Sequence, residues 1–372
     1  MERFSGQPLR ERPHIAVLFY DAIGDFVVAT PLLRGVRDKY PGCTLDYLGG
    51  ERTRQLEEAS RLVDSRFSVF GAGTLTDLPG YLTERRALAG DFDLAVNCDD
   101  HPVAAVVAAL LAPRYVVGRC FDGELRSPLP DSGERLDELW RQDWADADLL
   151  GRYGDLLQTQ FIGEILCRLA RVETDYARTE APVAEPPLAV PPILIATGGK
   201  RSAKLWPAEH WLALLRHCQR RGLAVGLLGD APAQQRSRYH SADLEDYLLG
   251  NSALQDLRGA LSLPQVAGAL QRARACVTVD NGIMHLAGAV GTPTLALFGA
   301  SPWRVWAPPV PHLQVLLGDE PCPLCAENRF RNEACLRERH VCLESLAPSL
   351  VAERLDGLLS AQEAPARQRL PY

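Results

Sequence analysis

Short apolar runs and amphipathic stretches alternate along most of the chain. Ile15–Tyr20 (IAVLFY) is wholly apolar and partly β-branched, the pattern of a parallel strand covered on both faces. The turn Asp21–Asp25 (DAIGD) follows, then an amphipathic helix predicted from Phe26 to Lys39 and stopped by Pro41-Gly42. TLDYLGG (44–50), DLAVNC (93–98) and YVVG (115–118) read as further strands, and AAVVAALLA (104–112) as a helix. The stretch 180–192, EAPVAEPPLAVPP, holds five prolines and predicts an extended linker.

The same rhythm resumes beyond it. PILIAT, LAVGLLG, ACVTVD and TLALFG are predicted strands. Helices are predicted from Pro207 to Arg221, near Ala233–Tyr239 and from Gly282, with a strand and a helix between 250 and 273. Pro207 at a first helical position and Gly222 just past the end match the usual asymmetry of helix termini. Alternating strands and helices imply parallel sheets with right-handed crossovers. The predicted organisation is an α/β N-terminal domain over 1–179, the linker 180–192, and a C-terminal domain over 193–345. A closing helix over 346–360, which could pack back on the N-terminal half, and a loose tail over 361–372 complete it.

Length and composition agree with two domains. The chain has 372 residues, 47% of them hydrophobic and 23% charged, as in ordinary globular proteins. Its formal net charge of −7, with no Lys/Arg tract, argues against a nucleic-acid partner. The N-terminus lacks the apolar stretch of a secretory signal. The longest apolar run, Pro102–Gly118, is broken by Pro113 and Arg114 and is too short to span a bilayer. Ten cysteines without an export signal are expected as reduced thiols or metal ligands in a cytoplasmic protein.

Three segments sit where strands feed helix N-termini, the usual place for ligands in such folds. In Asp21–Asp25, the Asp25 carboxylate can act as a base toward a hydroxyl or simply cap the following helix. No GxGxxG fingerprint occurs at this turn, which argues against a nicotinamide cofactor. The second segment, Thr197-Gly198-Gly199-Lys200-Arg201-Ser202-Ala203-Lys204, lies after a strand. Its glycines and Lys204 can bind phosphate through backbone amides plus one ammonium, or form a plain loop. It does not match the P-loop spacing. The third, Asp280-Asn281-Gly282-Ile283-Met284-His285, opens a helix. Gly282 permits close backbone approach and the first amides can hold an anion. His285 either adds a donor or is a satisfied core histidine.

Together these segments resemble glycosyltransferase family 9, the family of the ADP-heptose:lipopolysaccharide heptosyltransferases. The resemblance rests on IAVLFYDAIGDFVVATPLLRGVRDKYPG (15–42), KLWPAEHW (204–211) and VTVDNGIMHLAGAVGTPTLALFGASPWRVWAP (277–308), in family order and spacing over about 15–350. Residues 50–175 match weakly. The resemblance implies a GT-B architecture, two Rossmann-like parallel-sheet domains facing each other across a cleft. It further implies inverting, metal-independent transfer of a heptose or related sugar from a nucleotide-diphospho donor to an acceptor hydroxyl. Asp25 matches the family's base, Lys204 its diphosphate-binding lysine, and Asp280, Asn281, Gly282 and His285 its donor loop. Gly24 and Thr197 complete the implied donor-binding set, with no metal in the site and no cofactor.

Two departures bear on substrate. The family often has a donor-holding glutamate just after the strand ending here in GLLGD, but residues 231–236 (APAQQR) carry no carboxylate. That leaves the ADP-heptose donor open. Between Arg119 and Asp155 there are ten Asp/Glu and five Lys/Arg, so this segment would repel a polyanionic acceptor such as lipopolysaccharide core. A neutral or amine-bearing secondary metabolite is the alternative acceptor, and a solvated face unrelated to the site is the other explanation of the charge. Peripheral contact with a membrane stays open. Cys322, Cys325, Cys335 and Cys342 lie within 21 residues and could hold zinc or iron, as cysteines do in part of the family. A non-catalytic nucleotide-sugar-binding protein and a nucleotide-sugar epimerase are the alternative functions.

Overall fold

The computed structural model describes residues 1–71, 74–239, 241–320 and 322–363. They divide into two compact units, Met1–Pro182 and Val183–Tyr372. In the first, β1 (Glu2–Arg3), β2 (His14–Leu18), β3 (Thr44–Gly50), β4 (Ser65–Phe70), β5 (Leu94–Asn97) and β6 (Tyr115–Val117) form one sheet. Its order is β1-β6-β5-β2-β3-β4, and every pairing is parallel. In the second, β7 (Ile193–Ala196), β8 (Val225–Leu227), β9 (Gln255–Asp256), β10 (Ala275–Val279), β11 (Thr294–Phe298) and β12 (Leu313–Leu317) repeat the design. Here the order is β12-β11-β10-β7-β8-β9, again parallel throughout. The expected α/β architecture of two Rossmann-like parallel sheets is the one observed.

The apolar runs became strands because they are buried on both faces. All five residues of β2, all four of β5 and β7, and all five of β10 and β11 are buried. The strands that periodicity missed carry weaker patterns. β1 has two residues, β4 is half-exposed, and β12 alternates as an edge strand does. Helices Leu78–Ala89, Ile162–Leu169 and Ala242–Asn251 were also unforeseen. Pro207 proves to be the N-cap of helix Ala208–Arg220 and not its first residue, a shift of one position.

Helix Ile23–Lys39 is buried along most of its length and packs on helix Ile162–Leu169. A Cβ on Gly35 would lie 2.9 Å from Val172 Cγ2, so glycine permits this approach. Arg34 binds the Asp175 and Arg178 carbonyls and the Glu180 carboxylate, tying the start of the 180–192 stretch to this helix. Further along it, Ala184 N–H donates to Pro264 O in the second unit. The closing helix, Pro348–Glu363, is built into the second unit. It buries Val351, Leu355 and Leu359 in that core beside Trp211 and Val277, each such side chain contributing roughly 1.5–3 kcal/mol. Trp206 Nε1 donates to Leu346 O at its entrance. The predicted tail lies outside the described residues from 364 on.

The strand order reverses beside β2 in the first sheet, between β2 and β5, and beside β7 in the second, between β7 and β10. A crevice opens at the carboxyl ends of strands where order reverses, and ligands bind there. Asp25 and Asp280 follow directly on these two places.

Candidate functional site

In the first unit, β2 pairs with β5 up to Leu18 opposite Asn97, and Cys98 N–H extends the ladder to Leu18 O. The chain then turns at Asp21 and Ala22 into helix Ile23–Lys39. Asp21 braces the loop that follows β3. Its Oδ1 accepts from Arg52 N–H at 2.7 Å, and its carboxyl occupies space that a Cβ on Gly50 would take. Gly24 is buried in the first turn of this helix, in the first unit, whereas the other implied donor residues belong to the second. Asp25 is 8% exposed. The N-cap is Ala22, and it forms no side-chain cap; Asp25 instead stands in the first turn, where the helix dipole favours a carboxylate.

Asp25 has acidic company. Tyr47 is fully buried, and burial followed by the charges of Glu57, Asp25, Cys98 and Asp99 pushes its hydroxyl well above the usual range. That hydroxyl has no hydrogen-bond partner among the described residues, and neither has Asp99 Oδ2. Asp99 Oδ1 accepts from His101 N–H at 2.7 Å, and burial raises its carboxyl. Burial raises Glu57 too, against the pull of Thr53 and Arg66, both hydrogen-bonded to it. Composition did not point to Asp99, Glu57 or Tyr47. The available signal was Asp99-Asp100-His101-Pro102, acidic residues at a strand end with proline opening a helix.

In the second unit, Lys204 ends a short 3-10 turn, Ser202–Lys204. Arg201 clamps that turn by donating to Phe330, Asn332 and Ala300 carbonyls. Lys204 Nζ lies 2.5 Å from Asp280 Oδ2. Burial would raise the Asp280 carboxyl, but Lys204 and Ser301 outweigh it and hold it below the usual carboxylate range. His285 is buried one turn into helix Gly282–Val290, its ring edge-on to Trp306. Burial pushes it down to about 4, so it is neutral at pH 7, and its Nδ1 has no partner among the described residues. Lys204, Asp280 and His285 thus form one electrostatic group.

Two implied donor residues are turned inward. Thr197 is fully buried and its hydroxyl donates to Glu245 Oε1 at 3.1 Å. Asn281 caps the helix: Oδ1 accepts from Ile283 and Met284 N–H, and Nδ2 donates to Gly198 O at 2.9 Å. Two of the amides expected to hold an anion are therefore already engaged. Glu245 is a fully buried carboxylate close to the turn at Gly198. From helix Ala242–Asn251 it accepts Thr197, Ser241, Gln235 and Arg258, and burial raises it. A Cβ on Gly198 would lie 2.7 Å from Gln235 Nε2, so this polar cluster packs directly beneath the Gly198-Gly199 turn.

The acidic segment 119–155 is more balanced than its composition. Asp131 pairs with Arg3 and Arg141, Glu134 with Arg171, Asp155 with Arg135, and Asp146 and Asp148 with Arg152. All ten cysteines are free thiols. Cys325 accepts from Asn332 Nδ2, and among the described residues no group of three or more His, Cys, Asp or Glu is arranged to hold a metal ion. No described helix is long and apolar enough to cross a membrane.

The sequence profile of glycosyltransferase family 9 (heptosyltransferase) matches residues 83–335, more than half of the chain. Lipopolysaccharide heptosyltransferase 1 of Pseudomonas aeruginosa is 33% identical over 201 residues, which are 51% of this chain and 54% of that protein. The chain thus spans about half the length of that relative in the match. A family 9 glycosyl transferase structure from Veillonella parvula superposes with a TM-score of 0.70 at 18% identity, covering 94% of this chain and 97% of the other. The ADP-heptose lps heptosyltransferase II structure of E. coli gives 0.64 at 21% identity, covering 94% and 100%. These structures establish a common GT-B fold.

Proposed function

The chain belongs to glycosyltransferase family 9, and we propose from its two strand-order reversals that it transfers a heptose or related sugar from a nucleotide-diphospho donor to an acceptor hydroxyl. One observation carries this reading: the same order of five strands occurs twice, with a buried carboxylate just past its reversal point in one unit and a lysine held by a buried aspartate in the other.

Asp25 is the base. It takes the proton of the acceptor hydroxyl as that oxygen attacks the anomeric carbon, and transfer inverts the sugar's configuration. Lys204 and the helix dipole at Gly282 neutralise the departing diphosphate, a task that fixed dipoles and one ammonium can perform without a metal ion. Asp280 holds Lys204 in place until the diphosphate takes over its ammonium. Neutral His285 supplies a hydrogen-bonding nitrogen without adding charge. Thr197, Asn281 and Glu245 shape the turn from beneath. The acceptor is a lipopolysaccharide core sugar or a small metabolite, and the reaction places the protein in the cytoplasm, where nucleotide sugars are made.

The test pairs binding with turnover. ADP at 100 times its Kd should raise stability by about 2.7 kcal/mol in wild type and in Asp25→Asn alike. Only wild type should convert ADP-heptose and acceptor to product. Turnover of donor without any acceptor would favour an epimerase, and nucleotide binding with no turnover a pure binding protein. GDP or UDP stabilising the chain in place of ADP would change the donor.

A further inference from the structure

At one end of its sheet the first unit carries three aromatic rings in mutual contact, one of which, Phe70, also packs against the core. Tyr20 leaves β2, Phe70 ends β4, and His101 opens helix Pro102–Leu110, so three separate loops converge at the carboxyl end of one sheet. Tyr20 lies 4.9 Å edge-on from Phe70 and 6.4 Å from His101, roughly parallel to it; Phe70 and His101 are perpendicular at 5.6 Å. Tyr20 is 38% exposed, Phe70 is partly buried and His101 is exposed. The histidine ring is fixed by the backbone, since its Nδ1 accepts from Val103 N–H at 3.2 Å.

The turn that places His101 also places Asp99, whose Oδ1 accepts from His101 N–H. Its Oδ2 is the buried acceptor without a partner described above, and the residue is 6% exposed. An apolar rim on the same turn as a buried carboxylate oxygen without a partner matches a ring with C–H bonds on one face and hydroxyl or ammonium donors at its edge. The negative face of an aromatic ring attracts such C–H groups, and a cation more strongly. A phosphorylated ring would have to compete for guanidiniums that are already engaged: Arg119 Nη1 donates to Asp100 O at 2.6 Å. Arg66, a cation at this end of the sheet, is bound to Glu57, Ser68 and Gly50 O.

We propose that Tyr20, Phe70 and His101, with Asp99 Oδ2, form a subsite for a neutral or amine-bearing monosaccharide ring of the acceptor. The proposal rests on the reading that this unit serves the acceptor, and it narrows the acceptor's chemistry at the site itself, not through the segment 119–155.

The test is saturation-transfer NMR on the full chain with methyl β-glucoside, glucosamine and glucose 6-phosphate as probes. Glucosamine and methyl glucoside should bind, with saturation concentrated on one face of the ring, and glucose 6-phosphate should bind more weakly. Tyr20→Leu and His101→Ser, in which serine keeps the helix cap, should weaken binding by about three- to tenfold, while Tyr20→Phe retains it. Asp99→Asn should abolish the preference for glucosamine. ADP binding should be the same in every variant. Probe binding that ignores Tyr20 and His101, no binding to wild type, or glucose 6-phosphate binding as well as glucosamine would each overturn the proposal. Absence of sugar transfer with probe binding intact would instead overturn the transferase reading and leave the subsite standing.

Discussion

The two units share the order of five strands and differ only in the edge strand, β1 in one and β12 in the other, but they equip the reversal point with opposite chemistry. At the first, Asp25, Glu57 and Asp99 crowd around the buried Tyr47 hydroxyl, and burial lifts two of these carboxyls. At the second, the one carboxylate beside the helix mouth, Asp280, is held low by Lys204, and the nearby histidine is kept neutral by burial. A proton acceptor needs an environment that does not over-stabilise its anion, whereas a diphosphate needs one that supplies charge and amides. On the proposed reading one scaffold serves either role, and the side chains in the turns after two strands decide which.

The sharpest way to break this contrast is to neutralise one side at a time. Asp25→Asn should lower the rate of transfer by about 10²–10⁴, the usual contribution of a positioned base, with donor KM and ADP affinity unchanged. Lys204→Met should cost about 10²–10³ in kcat/KM, as loss of one oxyanion donor does, and should weaken ADP binding as well. Removing Lys204 also strands Asp280 in a buried place, so Lys204→Met with Asp280→Asn separates folding from binding. If Asp25→Asn weakened ADP binding and Lys204→Met did not, the assignment of roles to units would be reversed.

Much of this was legible in the sequence because parallel strands buried on both faces announce themselves as apolar runs. IAVLF, ILIA, ACVTV and TLALF each became a central strand, and each turn following β2, β7 and β10 fell where expected. β4 and β12 were not legible, since Ser65, Arg66 and Ser68 interrupt the apolar pattern of the first and exposed positions that of the second. The candidate site was legible wherever a residue stands next to its own strand, as Asp25, Lys204 and Asp280 do. Glu245 was not, because it reaches Thr197 from a helix 48 residues further along the chain. Asn281 shows the converse: adjacency to the site suggested ligand contact, and the structure uses the side chain as a cap.

Acid should act with opposite sign on the buried histidine and on the buried carboxyls. His285 has an ordinary value of 6.5 and a folded value of about 4, so between these limits the unfolded chain binds the extra proton. Its contribution is complete above pH 6.5 and is lost as pH falls toward 4, a change of roughly 3 kcal/mol. Asp99 and Glu57 in the first unit, and Glu245 in the second, are raised and act oppositely: they favour the fold below their ordinary values and lose that contribution as pH rises. Urea midpoints should therefore drop between pH 6.5 and 4, and His285→Gln should flatten that drop. Asp99→Asn should steepen it. A His285→Gln chain as acid-sensitive as wild type would place the sensitivity elsewhere.

The smallest expected effect distinguishes a cap from a ligand contact. Asn281 works as an amide, with its oxygen accepting from Ile283 and Met284 N–H and from the Thr278 hydroxyl, and its nitrogen donating to Gly198 O. Asn281→Ala removes the cap at a cost of about 1 kcal/mol, a fall in Tm of roughly 2–4 °C for a unit of this size. Asn281→Asp keeps an acceptor for the helix amides but sets an oxygen against Gly198 O and adds a negative charge where the diphosphate is to bind. The aspartate variant should therefore lose more ADP affinity than the alanine variant, although it keeps more of the capping geometry. Equal losses of ADP affinity in the two would mean that the Asn281 side chain touches the nucleotide directly, and that its hold on the helix is secondary.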